Sequence, residues 1–215
     1  MRPILAVFGL PALFAVMISL FGEVNFSGKL TVSMPRSVGQ EPLYYNALST
    51  GRPADGVELT RPPANPAEKY VSRYIDEQNT PLFPFGFGLS YTQFTYSPLV
   101  LSEPTASARA LNSRANSVSV STTVTNTGLR MGREIVQLYI GQRGTSVARP
   151  IKELKGFRIL VLAPGESERV EFQVGRDQLA FWNIDMHFIV EPAEVSVWIG
   201  PNSAEGQMAR FTIAE

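Results

Sequence analysis

The sequence predicts a mainly β chain whose C-terminal part, residues 94–215, is an antiparallel β-sandwich of about 120 residues. Three observations carry this expectation. Apolar and polar residues alternate with period two in five separate stretches after Phe94. β-Branched side chains crowd those stretches, which suits a pleated, half-buried surface. Turn residues separate them at short intervals. The apolar fraction of 44% over 215 residues is enough for a packed core and argues against global disorder.

The elements follow in order. In "NSVSVSTTVTNTG", Val118, Val120 and Val124 fall on one face and Ser117, Ser119, Ser121, Thr123 and Thr125 on the other. Asn126-Thr127-Gly128 then ends the strand. The alternation recurs in "REIVQLYIG" (Val136, Leu138, Ile140), "ERVEFQV" (Val170, Phe172, Val174) and "AEVSVWIG" (Val195, Val197, Ile199). Phe211 and Ile213 in "ARFTI" supply a last strand. In "LAPGES", Pro164-Gly165 suits a type II turn, because glycine supplies the positive φ. Roughly seven such strands make a sandwich. With no cysteine pair and no accompanying core tryptophan, a fibronectin-type arrangement is expected over a true antibody domain.

Residues 22–93 behave differently. "KLTVSM" offers one strand, Leu30–Met34, closed by Pro35. Long loop-like stretches follow, and the prolines between Pro53 and Pro66 preclude continuous regular structure there. The stretch is too irregular to close a core alone and reads as the trailing edge of something larger. Met1–Phe21 is an apolar leader with Arg2 its only charge. Three readings compete for it: a signal peptide, interrupted by Pro11; a membrane span of just sufficient length; and a buried helix whose own domain is incomplete.

Composition excludes several functions. Nineteen basic residues balance nineteen acidic ones, which argues against a nucleic-acid partner. The absence of cysteine removes disulfides, zinc–thiolate sites, iron–sulfur clusters and a cysteine nucleophile, and the single histidine, His187, rules out a multi-histidine metal site within the chain. No cofactor is expected.

Several motifs, in order and spacing, resemble the late part of glycoside hydrolase family 3 β-glucosidases of the bacterial periplasmic type. They are "FGEVNFSGKLTVSMPRSVGQEPLYYN" from Phe21, "TGRP" at Thr50–Pro53, "SRYIDE" and "PLFPFGFGLSYTQF". "VTNTG", "RPIKELKGF" at Arg149–Phe157, "LAPGE" and "FWN" at Phe181–Asn183 resemble the fibronectin type III-like domain that ends those enzymes. The resemblance implies an incomplete remnant of an α/β sandwich domain over residues 22–93, then the terminal β-domain. It also implies a parent with a (β/α)8-type barrel, in which a barrel aspartate attacks the anomeric carbon and a glutamate of the α/β sandwich protonates the leaving group. Retention of configuration sets those carboxyls about 5–5.5 Å apart. Neither residue has a matching position here.

The family's glycine-rich approach is replaced by "VFGLPALFAVMIS", and Phe26 stands where the family has proline. Either an export signal has been joined to the remnant, or the reading frame begins inside a damaged or incompletely read gene. The expectation is a non-catalytic, scaffolding C-terminal portion of a hydrolase acting on terminal β-D-glucosyl residues. Its partner would be the remainder of a family 3 glycosidase, with contact to a β-glucoside only through that parent. Membrane contact would come only through residues 1–21, and the setting would be periplasmic or secreted. The alternative is a secreted binding or adhesion module; an active glycosidase in its own right comes third.

Individual residues have bland readings beside functional ones. Adjacent Asp76 and Glu77 point apart in an extended chain and suit solvation or pairing with Arg73 better than acid–base work. Asp185 and His187 lack a nucleophile elbow, so His187 reads as a packing or turn residue. Lys152 and Lys155 read as an exposed strand face or loop. Trp182 and Trp198 suit domain packing more than sugar stacking. Gly86 and Gly88 are not a phosphate loop. "PFGFGLSYTQF" reads as a seal where two domains meet, its aromatics buried against both and its glycines permitting sharp turns. Phe83, Phe85 and Tyr91 are the candidate interface or cleft-rim aromatics, and no catalytic residue is assigned.

Overall fold

Residues 17, 20–22, 24–53, 69–74 and 76–215 are described by a computed structural model of the chain. The leader 1–21 and the proline-rich stretch thus lie almost wholly outside the described residues. Among the described residues no helix is long and apolar enough to cross a membrane.

The strands run β1 (Phe94–Tyr96), β2 (Val100–Leu101), β3 (Thr105–Ser107), β4 (Val118–Asn126), β5 (Gly132–Arg143) and β6 (Glu153–Leu162). They continue as β7 (Ser167–Val174), β8 (Phe181–Trp182), β9 (Phe188–Ile189), β10 (Ala193–Gly200) and β11 (Gln207–Ala214). A short helix α1 (Ala108–Asn112) follows β3, and α2 (Arg176–Leu179) follows β7. In one sheet β7 takes one edge of β4 while β1 and β2 share the other in succession. The second sheet has the order β3-β11-β10-β5-β6, antiparallel except for the β3–β11 pair. β8 and β9 form a separate hairpin.

The alternating residues meet where expected. Val118, Val120, Val124, Val170 and Val174 from one sheet face Val136, Leu138, Ile140, Val195, Val197 and Ile199 from the other, all buried in one core. Leu111 and Leu179 of the two short helices complete it. Neither tryptophan belongs to it. The turn at Pro164-Gly165 closes as expected, with Gly165 at φ +77° and Glu166 N donating to Ala163 O at 3.0 Å. Buried Asn126 fastens the other turn, donating to Arg130 O and Leu162 O and accepting from Thr92 Oγ1.

Two expectations need correction. Leu30–Met34 is not a regular strand. It makes backbone bonds to Phe83, Gly86 and Phe87, but only Met34 forms a bridge, to Phe83. Gly86, at φ +80°, turns the partner chain and prevents a longer ladder. The "IKELKGF" stretch is a strand from Glu153, the start of β6, but Lys152 and Lys155 are half-buried instead of exposed, and Lys152 is drawn inward.

Candidate functional site

The alternation on β5 breaks at its second half. Gln137 and Tyr139, which should face water, are 3% and 0% exposed. The aromatic–glycine segment lies on them. Phe85 stacks on Tyr45 with centroids 4.0 Å apart, and the two rings meet Tyr139 edge-on at 6.5 and 6.0 Å. Edge and offset contacts of this kind add to the apolar burial. Tyr139 donates its hydroxyl to Gln137 Oε1 at 2.5 Å, and burial pushes its phenol pKa up, so it stays a donor. Gln137 Nε2 donates to Gly86 O at 3.2 Å and Pro201 O at 2.5 Å. The backbone approaches this closely only because residue 86 is glycine: a Cβ there would collide with the Gln137 and Tyr139 side chains.

A cation completes the seam. Lys152 Nζ donates to Ser203 O at 2.7 Å and lies 4.4 Å from the Trp198 ring centroid and 5.8 Å from that of Tyr139. Ser203 N in turn donates to Phe85 O at 2.9 Å. Burial holds the Lys152 pKa down at about 8. Lys155, by contrast, pairs with Glu153 at 3.4 Å.

Of the three aromatics singled out from the sequence, only Phe85 sits at the centre of the seam. Phe83 tilts against Phe87 at 5.0 Å and is 37% exposed; Tyr91 tilts against Phe26 at 5.4 Å and is 41% exposed. Sequence reasoning missed Tyr45, Gln137, Tyr139 and Lys152. The available signal was the pair Gln137 and Tyr139 in a strand otherwise rich in aliphatic residues.

A second tie joins the same two regions. Lys29 Nζ lies 3.5 Å from Glu134 Oε2, and Tyr96 donates its hydroxyl to Glu134 Oε1 at 2.7 Å. Burial, reinforced by the Glu134 charge and the hydrogen bond to it, pushes the Tyr96 pKa upward, so the phenol remains protonated. Within the upstream stretch, fully buried Gln40 binds Arg36 N, Gln78 O and Thr80 O, and Tyr74 donates to its carbonyl.

The other candidates do not converge. Asp76 is exposed, and Glu77 faces Arg36 at 3.9 Å instead of Arg73. Asp185 and His187 are exposed and sit in a turn, where both backbone N–H groups donate to Asn183 Oδ1. Trp182 is 61% exposed and leans on Phe188 at 5.5 Å, whereas Trp198 is half-covered beneath Lys152. Among the described residues no group of three or more histidine or acidic side chains could hold a metal. The arrangement binds one stretch of chain onto a sheet.

Comparison with known proteins bears on what is joined. Residues 8–91 match the glycosyl hydrolase family 3 C-terminal domain and residues 134–203 the fibronectin type III-like domain. A periplasmic β-glucosidase of Salmonella typhimurium is 46% identical over 90% of this chain and 24% of its own length. A β-xylosidase of Formosa agariphila is 41% identical over 88% of the chain and 23% of its own. The crystal structure of a Listeria innocua β-glucosidase in complex with glucose superposes with a TM-score of 0.77 at 34% identity, covering 91% of this chain and 25% of that one. The chain therefore spans about a quarter of the length of these relatives. In both matched domains and in these relatives, the chain is similar to the C-terminal portion of glycoside hydrolase family 3 enzymes.

Proposed function

We propose that this chain is a non-catalytic support for a family 3 hydrolase acting on terminal β-D-glucosyl residues, and that it works at the cell exterior or in the periplasm. The observation that supports this reading is the seam: Phe85, Tyr45 and Gly86 laid onto Tyr139 and Gln137. It fixes the stretch matching the family 3 C-terminal domain to the β-sandwich, so the sandwich can brace whatever that stretch belongs to. The boundary between the two parts falls at 93/94. In the upstream stretch Val24, Val32, Val38, Tyr44 and Leu82 are exposed, which suits a surface covered by further family 3 domains.

The test is hydrolysis of an aryl β-glucoside. The purified chain alone is expected to be inactive. Mixed with the barrel and α/β sandwich portions of a family 3 β-glucosidase lacking its own C-terminal quarter, it should raise their stability and activity. Hydrolysis by the chain alone, lost on Asp76→Asn or Glu77→Gln, would overturn the reading.

A further inference from the structure

The five-stranded sheet ends on β6, which pairs with β5 on one side and, among the described residues, with no strand on the other. A bare strand edge is a row of unused backbone donors and acceptors, and so a template for another strand. The start of this edge is already taken. Leu48 bridges Pro150, Ile151 N donates to Ala47 O, and Leu154 N donates to the Tyr45 hydroxyl. A bulge follows at Lys155, where the register to β5 shifts. The regular part of the edge is therefore 156–162, and the turn at Pro164-Gly165 closes it.

That stretch carries little protection against pairing. It has no proline, and its single charge is Arg158. On the face away from the core Phe157, Ile159 and Val161 are 59%, 53% and 53% exposed. Arg158 alternates onto the other face with Leu160 and Leu162 of the core, yet it is exposed. A charge placed there discourages edge pairing, so a partner strand must keep it clear of another cation.

We infer that 156–162 pairs antiparallel with the same stretch of a second copy, about a two-fold axis at Ile159. Ile159 then meets its own counterpart, Phe157 meets Val161 of the second copy, and Arg158 meets Leu160. Moving the axis to Arg158 would set two arginines face to face, which is destabilising. Moving it to Leu160 would set Phe157 against Ala163, beyond the end of the strand. Ile159 is also the midpoint of 156–162, so this register alone pairs every residue of the uncovered edge. Both copies present the same patch, so the contact closes as a dimer. The three exposed apolar side chains of each copy then form one band across the joined sheets. This contact concerns the sandwich alone and does not require the support role proposed above.

The experiment is sedimentation equilibrium of the full chain over a range of concentrations. Dimerisation with a Kd of about 10–100 μM is expected, as suits a short interface. Ile159 lies outside the core, and Ile159→Lys and Ile159→Glu should each weaken the dimer about tenfold or more by opposing like charges at the axis. Mixed in equal amounts, the two variants should recover a heterodimer, because lysine then faces glutamate. Thermal melts check that both fold; if either does not, Phe157→Glu mixed with Val161→Lys replaces them, with the same recovery expected. A chain monomeric throughout the range, self-association that the charged variants leave unchanged, or no recovery in the mixture would overturn the inference. None of these outcomes bears on whether the chain stabilises family 3 catalytic domains.

Discussion

Residues 94–215 and residues 24–93 are both rich in aliphatic and aromatic side chains, yet they use them in opposite ways. The first turns its valines, leucines and isoleucines inward between two sheets, so that Val118, Val136, Val195 and Ile199 are wholly buried. The described residues of the second form no such interior. Its aromatics Tyr45 and Phe85 are half-buried against a strand of the other region, while Val38, Tyr44 and Leu89 remain 88%, 66% and 74% exposed. One region is held by contacts it makes with itself; the other is held by a surface lent by its neighbour. The difference predicts a hierarchy of stability, in which the seam opens before the sandwich does.

Mutations can break that hierarchy at either level. The largest effect is expected for Leu138→Ala, in the sandwich core and on the strand that carries the seam. It should cost about 2–5 kcal/mol and destabilise both regions together in a urea melt. Gly86→Val should cost about 2–4 kcal/mol, from a β-branched residue forced to positive φ plus its clash with Gln137 and Tyr139. Its loss should fall on the seam alone. Limited proteolysis would then cut within 24–93 while 94–215 persists. If Gly86→Val instead lowers the melting of the whole chain as one transition, the two regions are a single cooperative unit.

A smaller effect comes from pH. Burial holds Lys152 at about 8 in the folded chain, below the ordinary lysine value of 10.5, so the unfolded chain binds the extra proton between those values. Stability attributable to Lys152 is therefore complete above about pH 10.5 and lost as the pH falls through 8. Between pH 8 and 10 the wild-type chain should gain stability relative to Lys152→Met, measured as a difference in urea midpoints. The smallest effect belongs to Trp182→Ala, at a side chain 61% exposed and outside the core, which should shift stability by less than about 1 kcal/mol.

The sandwich was legible because its information is local. Val118, Val120 and Val124 announce a face within seven residues, and Pro164-Gly165 announces the turn that returns the chain. β6 was harder to read. Phe157, Ile159 and Val161 point outward while Leu160 and Leu162 point inward, so apolar residues occupy both phases and the period disappears. The seam was legible only in outline. The glycines and aromatics of "PFGFG" identified a buried crossing, but not what they cross. Phe85 meets Tyr139 and Tyr45 across wide gaps in sequence, and Lys152 reaches Ser203 across 51 residues. A lysine flanked by isoleucine and glutamate looks solvated until those distant partners are placed around it.

The covering of β5 on both sides has a consequence for its backbone protons. Strands β6 and β10 flank it, the core lies beneath, and Tyr45 and Phe85 roof the amides around Tyr139. Deuterium therefore reaches those amides more slowly than the amides near Arg133, at the unroofed end of the same strand, where the side chain is exposed. The ratio of the two exchange rates is a built-in gauge of how often the roof lifts, readable in the unmodified protein by mass spectrometry of a single peptide spanning the strand.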